Sequence, residues 1–154
     1  MMNNNLDDLK TLGTFQIFSM MEGAEDKCFD VESGSYEAEA NLILFQNHGQ
    51  DNQRFVIHEA GDGFYVIEVK NTGMVLDIKQ AKQGNSICQY PYHGGDNQLW
   101  YIEEVHLGTF RMISKCNRMV IDVKNCEAED RTPIIAWEDN GQPNQEFWFR
   151  IIEW

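Results

Sequence analysis

The segment Tyr90-Pro-Tyr-His-Gly-Gly-Asp-Asn-Gln-Leu-Trp100 ends on an Asn-Gln pair that is followed, two residues after the glutamine, by an aromatic residue. The same pattern returns at Asn52-Gln53-Arg54-Phe55 and at Asn144-Gln145-Glu146-Phe147. The three glutamines are 45 and 47 residues apart, so the chain of 154 residues is about three such units long. A period of this length indicates one supersecondary unit in three copies, none of which buries its apolar face alone.

Three further positions recur in register with the glutamine. An aromatic residue stands eight positions before it, an aspartate lies farther upstream in a short apolar run, and a glycine opens each unit. The aromatic residues are Phe45, Tyr90 and Trp137, the aspartates are Asp30, Asp77 and Asp122, and the glycines are Gly13, Gly63 and Gly108. We therefore expect a flexible N-terminal segment over residues 1–12 and a single domain over 13–154, with repeats of about 13–61, 62–106 and 107–154.

Composition and charge restrict the class of protein. An apolar fraction of 42% over 154 residues fits one globular domain. No apolar run reaches the roughly 18 residues of a membrane span. A net charge of −13 repels phosphate groups, so neither nucleic acid nor membrane insertion is expected. The first ten residues have no basic start and no apolar core, which favours a cytoplasmic location, with non-classical release or a secreted complex left open.

The local pattern predicts strands. Short alternating segments such as Phe64-Tyr65-Val66-Ile67-Glu68-Val69 are separated by turn signals rich in glycine, asparagine and proline. This pattern gives about four strands per unit and about twelve in the chain, and no helical periodicity persists beyond a turn or two. Three four-stranded units that cover each other's edges predict an all-β barrel with pseudo-threefold symmetry.

The three Gln-x-aromatic signatures, each preceded by an aspartate and an aromatic residue, resemble those of the ricin B-chain-like lectins, the family with Q-x-W repeats. The resemblance covers about Gly13 to Trp154 and implies the β-trefoil fold, with one shallow sugar site per unit, often for galactose or N-acetylgalactosamine. It also implies which side chains contact the sugar: Asp30, Phe45 and Asn52 in the first unit, Asp77, Tyr90 and Asn97 in the second, and Asp122, Trp137 and Asn144 in the third. By the same resemblance Gln53, Gln98 and Gln145 support the loops, while the position of His93 beside Tyr92 makes it a candidate to line the second site.

These residue types suit a sugar for independent chemical reasons. A pyranose ring has a face of C–H bonds and a rim of hydroxyl groups. A flat aromatic ring covers the C–H face, an ionised carboxylate accepts two hydroxyl protons, and an asparagine amide offers a donor and an acceptor. Since such a site is open to water, we expect an affinity on the order of millimolar for one site. Three sites would gain strength by avidity on a multivalent glycan.

The sequence also departs from the family pattern. Only the second signature is complete, because Phe55 and Phe147 stand where the family has tryptophan. The family's frequent disulfide joins a cysteine two residues before the aspartate to one two residues after the aromatic. Here Cys28 occupies the first place, but Asn47 occupies the second. Whether Cys116 and Cys126 pair stays open, and four reduced thiols are the simpler expectation.

Other interpretations of the repeated residues remain open at this stage. The aspartates and asparagines could cap turns, and the aromatic residues could belong to the core. The chain contains no motif of a nucleophilic enzyme, phosphate loop, metal site or cofactor site, so we expect a lectin without catalysis, metal or cofactor. The alternatives are a trefoil that acts by protein–protein contact, as a protease inhibitor or assembly partner does, and the glycan-targeting module of a larger toxin or hydrolase. Self-association into a homo-oligomer is left open.

Overall fold

The computed structural model describes residues 5–154, which form an all-β fold of twelve strands joined by turns and short 3-10 segments. The strands are β1 (Lys10–Ser19), β2 (Lys27–Val31), β3 (Leu42–Gln46), β4 (Phe55–Gly61), β5 (Phe64–Val69), β6 (Val75–Ile78), β7 (Ile87–Tyr90), β8 (Trp100–His106), β9 (Thr109–Ser114), β10 (Val120–Val123), β11 (Thr132–Trp137) and β12 (Phe147–Glu153). Each repeat supplies four strands, as predicted.

Six of the strands close into a barrel. Antiparallel pairs run from β1 to β4, β5, β8, β9 and β12, and β12 pairs with β1 to complete the ring. Closure leaves no barrel strand with an unpaired edge, which removes the usual site of edge-to-edge aggregation. The first and last strands of each repeat therefore build the barrel, and the two middle strands are left for another layer.

The middle strands form three hairpins that cover one end of the barrel. They are β2–β3, β6–β7 and β10–β11. Neighbouring hairpins are joined where Thr132 pairs with Leu44, Asn41 with Cys88, and Ser86 with Ile135. This arrangement of a six-stranded barrel and a triangular cap of hairpins is the β-trefoil, so the fold prediction is confirmed.

The core lies on the pseudo-threefold axis. Phe55, Trp100 and Phe147, the aromatic residues that end the three repeated signatures, have no exposed surface. Phe29 packs edge-on against two of them, with ring centroids 6.1 Å from Phe55 and 4.9 Å from Phe147. Trp100 also donates its indole N–H to the Leu76 carbonyl oxygen at 3.3 Å, which satisfies the polar atom of a buried tryptophan. The Phe-for-Trp differences therefore fall in the core and not in a site.

The start of the domain differs from the prediction. Residues 1–4 of the predicted flexible segment lie outside the described residues, Leu6–Asp8 form a 3-10 turn, and β1 begins at Lys10. Lys10 and Thr11 pair with Glu59 and His58 on β4, so strand β1 begins inside the segment predicted to precede the domain. The start of β1 shows no alternating hydrophobic pattern in the sequence, because this end of the strand is polar and exposed.

The four cysteines, all within the described part of the chain, have free thiols. Gln16 links the two positions at which the family disulfide would lie: its Nε2 donates to Asn47 Oδ1 at 2.8 Å and is 3.9 Å from Cys28 Sγ. Burial raises the pKa of Cys28 and of Cys88 to about 12, so both thiols are protonated at neutral pH. Across residues 5–154 there is no helix of the length and apolarity that a membrane crossing needs.

Candidate functional site

Each cap hairpin carries its aspartate and its aromatic residue in the same register. Asp77 pairs with Cys88, two residues before Tyr90, and Asp122 pairs with Ile135, two residues before Trp137. In the first hairpin Asp30 stands opposite Ile43 in the same way, with Phe45 two residues farther along. Diagonal neighbours of this kind lie on one face of a hairpin, with backbones about 7–8 Å apart. The spacing allows one monosaccharide to touch both side chains.

Each carboxylate is held by the amide groups of the repeated signature. Gln53, Gln98 and Gln145 donate through Nε2 to Asp30, Asp77 and Asp122 at 2.9, 2.9 and 2.8 Å. The same Nε2 atoms donate to the carbonyl oxygens of Gln46, Pro91 and Glu138, and the Oε1 atoms accept backbone N–H groups of the following loop, from His48, His93 and Asn140. One buried glutamine therefore fixes the carboxylate, the end of the aromatic strand and the loop together, as a supporting role requires.

The three asparagines are not equivalent. Asn97 donates to Asp77 Oδ1 at 2.8 Å and lies partly open to solvent. Asn52 and Asn144 are almost enclosed, and both donate to a backbone carbonyl, that of Val31 or of Val123, at 3.1 Å. The geometry gives these two asparagines a positioning role, while sugar contact by any of the three stays a prediction.

A polar side chain from the loop completes each site. His48 and His93 each accept a backbone N–H at Nδ1, from Gln50 at 3.1 Å and from Gly95 at 2.9 Å. A neutral imidazole that accepts at Nδ1 carries its proton on Nε2, and Nε2 is 3.3 Å from Asp30 in the first site and 3.9 Å from Asp77 in the second. Asn140 takes this place in the third site. His93 was predicted from the sequence but His48 and Asn140 were not, although all three stand five residues before the glutamine.

A second missed contribution comes from the turn after each aspartate. The third residue after the aspartate is Ser33, Gln80 or Asn125, with φ between 56° and 59° in all three repeats. This left-handed residue turns the chain so that Glu32, Lys79 and Lys124, two residues after their aspartates, line the three concavities. The turn has no glycine at this position, so the sequence carried no clear signal for it.

The neighbouring repeat supplies the last element of each site. Arg131 donates its backbone N–H to Leu44 O in the first hairpin, Glu39 to Gln89 O in the second, and Gly84 to Ala136 O in the third, at 2.7–2.8 Å. All three residues have a left-handed backbone, with φ of 71°, 70° and 84°. They are structural equivalents despite their unrelated side chains, and this is why sequence comparison of the repeats did not reveal them.

The three concavities differ in size and in the exposure of the aromatic ring. Their volumes are about 210 Å³ for the first, about 190 Å³ for the second and about 420 Å³ for the third. Tyr90 is 39% exposed and Trp137 38% exposed, whereas Phe45 is more enclosed. The third site is the widest because Gly84 faces Trp137: a Cβ at this position would lie 3.4 Å from the indole ring.

The carboxylates also differ in how much hydrogen-bonding capacity remains for a ligand. An ionised carboxylate has about four acceptor positions. Asp30 receives Asn52, Gln53 and the imidazole of His48, and Asp77 receives Asn97 and Gln98.

Asp122 accepts one side-chain hydrogen bond, from Gln145 at 2.8 Å, while the Asn144 amide nitrogen donates to the Val123 carbonyl at 3.1 Å and lies near enough to Asp122 to lower its pKa as well. The free capacity therefore rises from the first site to the third.

Burial raises the pKa of Asp30, Asp77 and Asp122 above the ordinary value for aspartate, and the hydrogen bonds from the signature side chains oppose this only in part. A carboxyl group whose pKa is raised by folding lowers the stability of the folded protein when it is ionised. The same cost in stability is present at the equivalent position of all three repeats. No group of three or more His, Cys, Asp or Glu side chains in residues 5–154 has the arrangement of a metal site.

Comparison with known proteins gives one family and many similar structures. The family model of the ricin-type β-trefoil lectin domain matches residues 15–147. No curated protein sequence matches the chain.

Among solved structures, the chain is similar to ThreeFoil, a designed threefold-symmetric protein, with 29% identity and a TM-score of 0.85 over 89% of this chain and 97% of that one. It is also similar to the exo-β-1,3-galactanase 1,3Gal43A from Clostridium thermocellum, with 25% identity and a TM-score of 0.85, covering 92% of this chain but only 30% of the galactanase. The agglutinin of Rhizoctonia solani shares the fold at 18% identity, with a TM-score of 0.80 over 90% of this chain and 94% of its own.

Proposed function

This chain belongs to the ricin-type β-trefoil lectin domain family, and on that premise we propose that it binds glycans bearing galactose or N-acetylgalactosamine, without catalysis, through up to three sites. Carbohydrate binding is the function of the family. The choice of sugar, the number of working sites and the lack of catalysis are the proposal, and the geometry of the cap hairpins supports it.

One observation carries the proposal. An aspartate and an aromatic ring lie on the same face of a hairpin, and the arrangement recurs three times in the same register. A galactose ring offers a C–H face to the aromatic side chain and adjacent hydroxyl groups to the carboxylate. Each aspartate also anchors the buried signature glutamine, so the carboxylate alone does not favour a ligand; its position on the same face as an aromatic ring favours a sugar over contact with another protein.

We rank the proposed sites by cavity size, ring exposure and free acceptor positions. The third combines the widest cavity, an exposed indole and a carboxylate with one protein donor, so it is expected to bind a neutral galactoside best. The second follows, since Asp77 retains about half of its acceptor positions. The first is expected to be weakest, because Asp30 is occupied by three side chains and Phe45 is enclosed.

A titration that resolves the sites tests the proposal. The backbone N–H groups of His48, His93 and Asn140 lie in the three sites and report on them separately in ¹⁵N NMR spectra. Methyl β-galactoside should shift the Asn140 signal at the lowest concentration, on the order of millimolar, and the His93 signal next.

Asp122→Ala should abolish the response of Asn140 while His93 still responds. The matched control is Asp62→Asn, at the tip of the β4–β5 turn, where the left-handed φ of 55° suits asparagine. Absence of any response up to about 100 mM sugar, where a site of millimolar affinity is saturated, would contradict the proposal.

A second candidate role, compatible with the first, is the targeting module of a larger hydrolase. The match to the Clostridium thermocellum galactanase covers 92% of this chain and 30% of that enzyme, so the equivalent domain there is one part of a longer protein. In that setting the three sites would hold the polymer while a separate domain cleaves it. Binding of the isolated chain to insoluble β-1,3-galactan, measured by depletion from solution, tests this role, and a lack of depletion would remove it.

A further inference from the structure

The residue that the neighbouring repeat contributes to each site differs in charge among the three sites, and this difference affects which ligands each site can bind. Arg131 in the first site is an equivalent of Glu39 in the second and of Gly84 in the third. Each lies beside the strand that carries the aromatic residue. The residue contributed by the neighbouring repeat thus adds a cation to the edge of the first site, an anion to the second and no side chain to the third.

The guanidinium of Arg131 is held over the Phe45 ring, with Cζ 5.8 Å from the ring centroid. In the part of the chain that the structure describes, no carboxylate lies within ion-pair distance of this guanidinium. An arginine held against an aromatic face loses little further freedom when it binds, and its planar fork matches a carboxylate or a sulfate in two hydrogen bonds. The first site therefore has an arginine without an ion-pair partner beside the ring on which a sugar would stack.

The opposite end of the same concavity has the opposite charge. Along β2, Cys28 pairs with Phe45, Asp30 lies two residues farther on, and Glu32 begins the turn after the strand. Four residues of strand separate the aromatic end from the Glu32 end, about 13 Å. A ligand on the Phe45 ring is thus nearer to Arg131 than to the start of the turn at Glu32.

The second site has this pair of charges in the reverse order. There Glu39 lies at the end that carries Tyr90, and Lys79 begins the turn after Asp77, with its Nζ 3.4 Å from Asn41 Oδ1. An anionic group on a sugar that stacks on Tyr90 would meet a carboxylate there. The acidic or basic residue supplied by the neighbouring repeat is therefore a glutamate in the second site, where the first site has an arginine.

Asp30 in the first site is already surrounded by three donors, including His48 at 3.3 Å, so it has little left to offer the hydroxyl groups of a neutral galactose. The occupied acceptor positions of Asp30 and the presence of Arg131 both favour a ligand that carries a negative charge. We infer that the first site is selective for an acidic sugar, a galactose-type ring bearing a carboxylate or a sulfate, and that Arg131 is the residue that determines this selectivity. The inference rests on the proposed function, because it assigns a ligand class to one of the proposed sugar sites.

The net charge of −13 does not oppose this selectivity strongly. At physiological ionic strength the screening length is about 8 Å, so distant surface carboxylates contribute little compared with a guanidinium in direct contact. The acidic and basic groups that line the first concavity are Asp30, Glu32, His48 and Arg131. Two of them lie against the Phe45 ring, the Arg131 guanidinium at 5.8 Å and the His48 imidazole at 6.1 Å from its centroid, and Arg131 is the one whose positive charge does not depend on pH.

The test uses sugars that differ only in the anionic group: methyl β-galactoside, methyl β-galacturonide and a 3-O-sulfated methyl β-galactoside, at 0.15 M salt. Binding is followed at the backbone N–H groups of His48 and His93. We expect both acidic sugars to bind the first site about tenfold more tightly than the neutral sugar, and to bind the second site no better than the neutral sugar. A response to the sulfated sugar alone, or to the carboxylate alone, would also support the inference and would identify the source of the anion.

Three variants locate the effect. Arg131→Gln keeps the backbone hydrogen bond to Leu44 and should reduce the preference at the first site to within about twofold. The double variant Glu39→Arg/Arg131→Glu leaves the net charge unchanged, and both positions already accommodate a side chain at φ near 70°.

The double variant should move the preference to the second site. Glu39→Arg alone should create a preference at the second site while the first keeps its own. An unchanged His48 response to the acidic sugars in Arg131→Gln would overturn the inference, as would equal acid-to-neutral ratios at His48 and His93 in the wild-type chain.

The two proposals fail in different ways. Neutral galactoside binding at His93 and Asn140, with no acid preference at His48, would overturn this inference and leave the lectin function standing. If none of the three sites responds to any of the sugars, the lectin function and the inference fall together.

Discussion

Replacement of Asp122 by asparagine separates binding from stability, and the structure indicates opposite effects on the two. Asp122 Oδ2 accepts the Gln145 Nε2–H at 2.8 Å, and an asparagine can place its carbonyl oxygen at that position. The other oxygen is available for ligand hydroxyl groups. Asp122→Asn therefore keeps the internal hydrogen bond but removes the ionised acceptor.

The expected loss of affinity follows from hydrogen-bond strengths. A hydrogen bond to a charged group contributes about 1 kcal/mol more than one between neutral groups, and an ionised aspartate can accept two sugar hydroxyls. The loss at the third site is about 2 kcal/mol, roughly a thirtyfold increase in Kd. In the NMR titration, the Asn140 signal should no longer saturate, while the His93 titration stays as in the wild type.

The effect on stability has the opposite direction. Because folding raises the pKa of Asp122, its contribution to stability is present below the pKa of the unfolded chain, about 3.9, and is lost as pH rises through the folded value. At pH 7 the ionised carboxylate is a cost that asparagine does not carry. Urea unfolding of Asp122→Asn at pH 7 should give a free energy equal to or above that of the wild type, and the difference should shrink near pH 3.5.

Asp77 provides the matched contrast. Both of its oxygens accept a protein amide, from Asn97 at 2.8 Å and from Gln98 at 2.9 Å, so an asparagine there must turn its NH₂ group toward a donor. Asp77→Asn should lose about 1–3 kcal/mol of stability. Equal destabilisation by the two substitutions, or unchanged galactoside binding at the third site of Asp122→Asn, would refute the reasoning.

Four further outcomes are expected. Acidification should weaken galactoside binding before circular dichroism detects unfolding, and at a pH above that at which exposed aspartates titrate. The reason is that folding raises the pKa of all three site aspartates. Loss of the fold before loss of binding would contradict this. Gln98→Ala should cost about 3 kcal/mol in urea unfolding, since it removes a fully buried side chain with three hydrogen bonds; a cost below about 1 kcal/mol would contradict its supporting role. Gly84→Val should strain a left-handed residue by about 1–2 kcal/mol and weaken the third site alone, and equal weakening at the second site would argue against local crowding. Thiol reagents should label the exposed Cys126 much faster than Cys28, whose pKa is raised to about 12, and equal rates would show that the core opens readily.

Much of the fold was predictable because the repeat and the two-residue alternation are local properties of the sequence. The signature aromatic residues at Phe55, Trp100 and Phe147 all meet on the axis, as a threefold repeat requires. The start of β1 was not predictable, because Lys10 and Thr11 are polar and their partners on β4 are almost fifty residues away. Pairing between strands that are distant in sequence produces no local hydrophobic pattern when the side chains at the end of the strand are exposed.

Site residues could be predicted where the same residue type recurs in each repeat. They could not be predicted where only the backbone position recurs and the side chains differ. Asp30, Asp77 and Asp122 were found because the same chemistry stands at the same spacing. Arg131 and Glu39 were missed because each belongs to the repeat next to the site that it completes, and because the shared property is a left-handed backbone rather than a side chain.

The difference between the three carboxylates was likewise hidden. It depends on whether an asparagine amide points to the aspartate, as Asn97 does, or to a backbone carbonyl, as Asn144 does. That choice is an angle about one side-chain bond, which spacing along the chain does not record. The proposed order of site strengths therefore depends on side-chain orientations that only the folded structure shows.

The most direct measurement of the central claim is a crystal structure of the chain with methyl β-galactoside bound at high concentration. The account predicts electron density for a pyranose whose C–H face covers the Trp137 ring and whose hydroxyl groups donate to Asp122, with a second molecule on Tyr90 and Asp77. A sugar that bound elsewhere on the surface, or a cap that remained empty in a crystal whose hairpins were open to solvent, would contradict it.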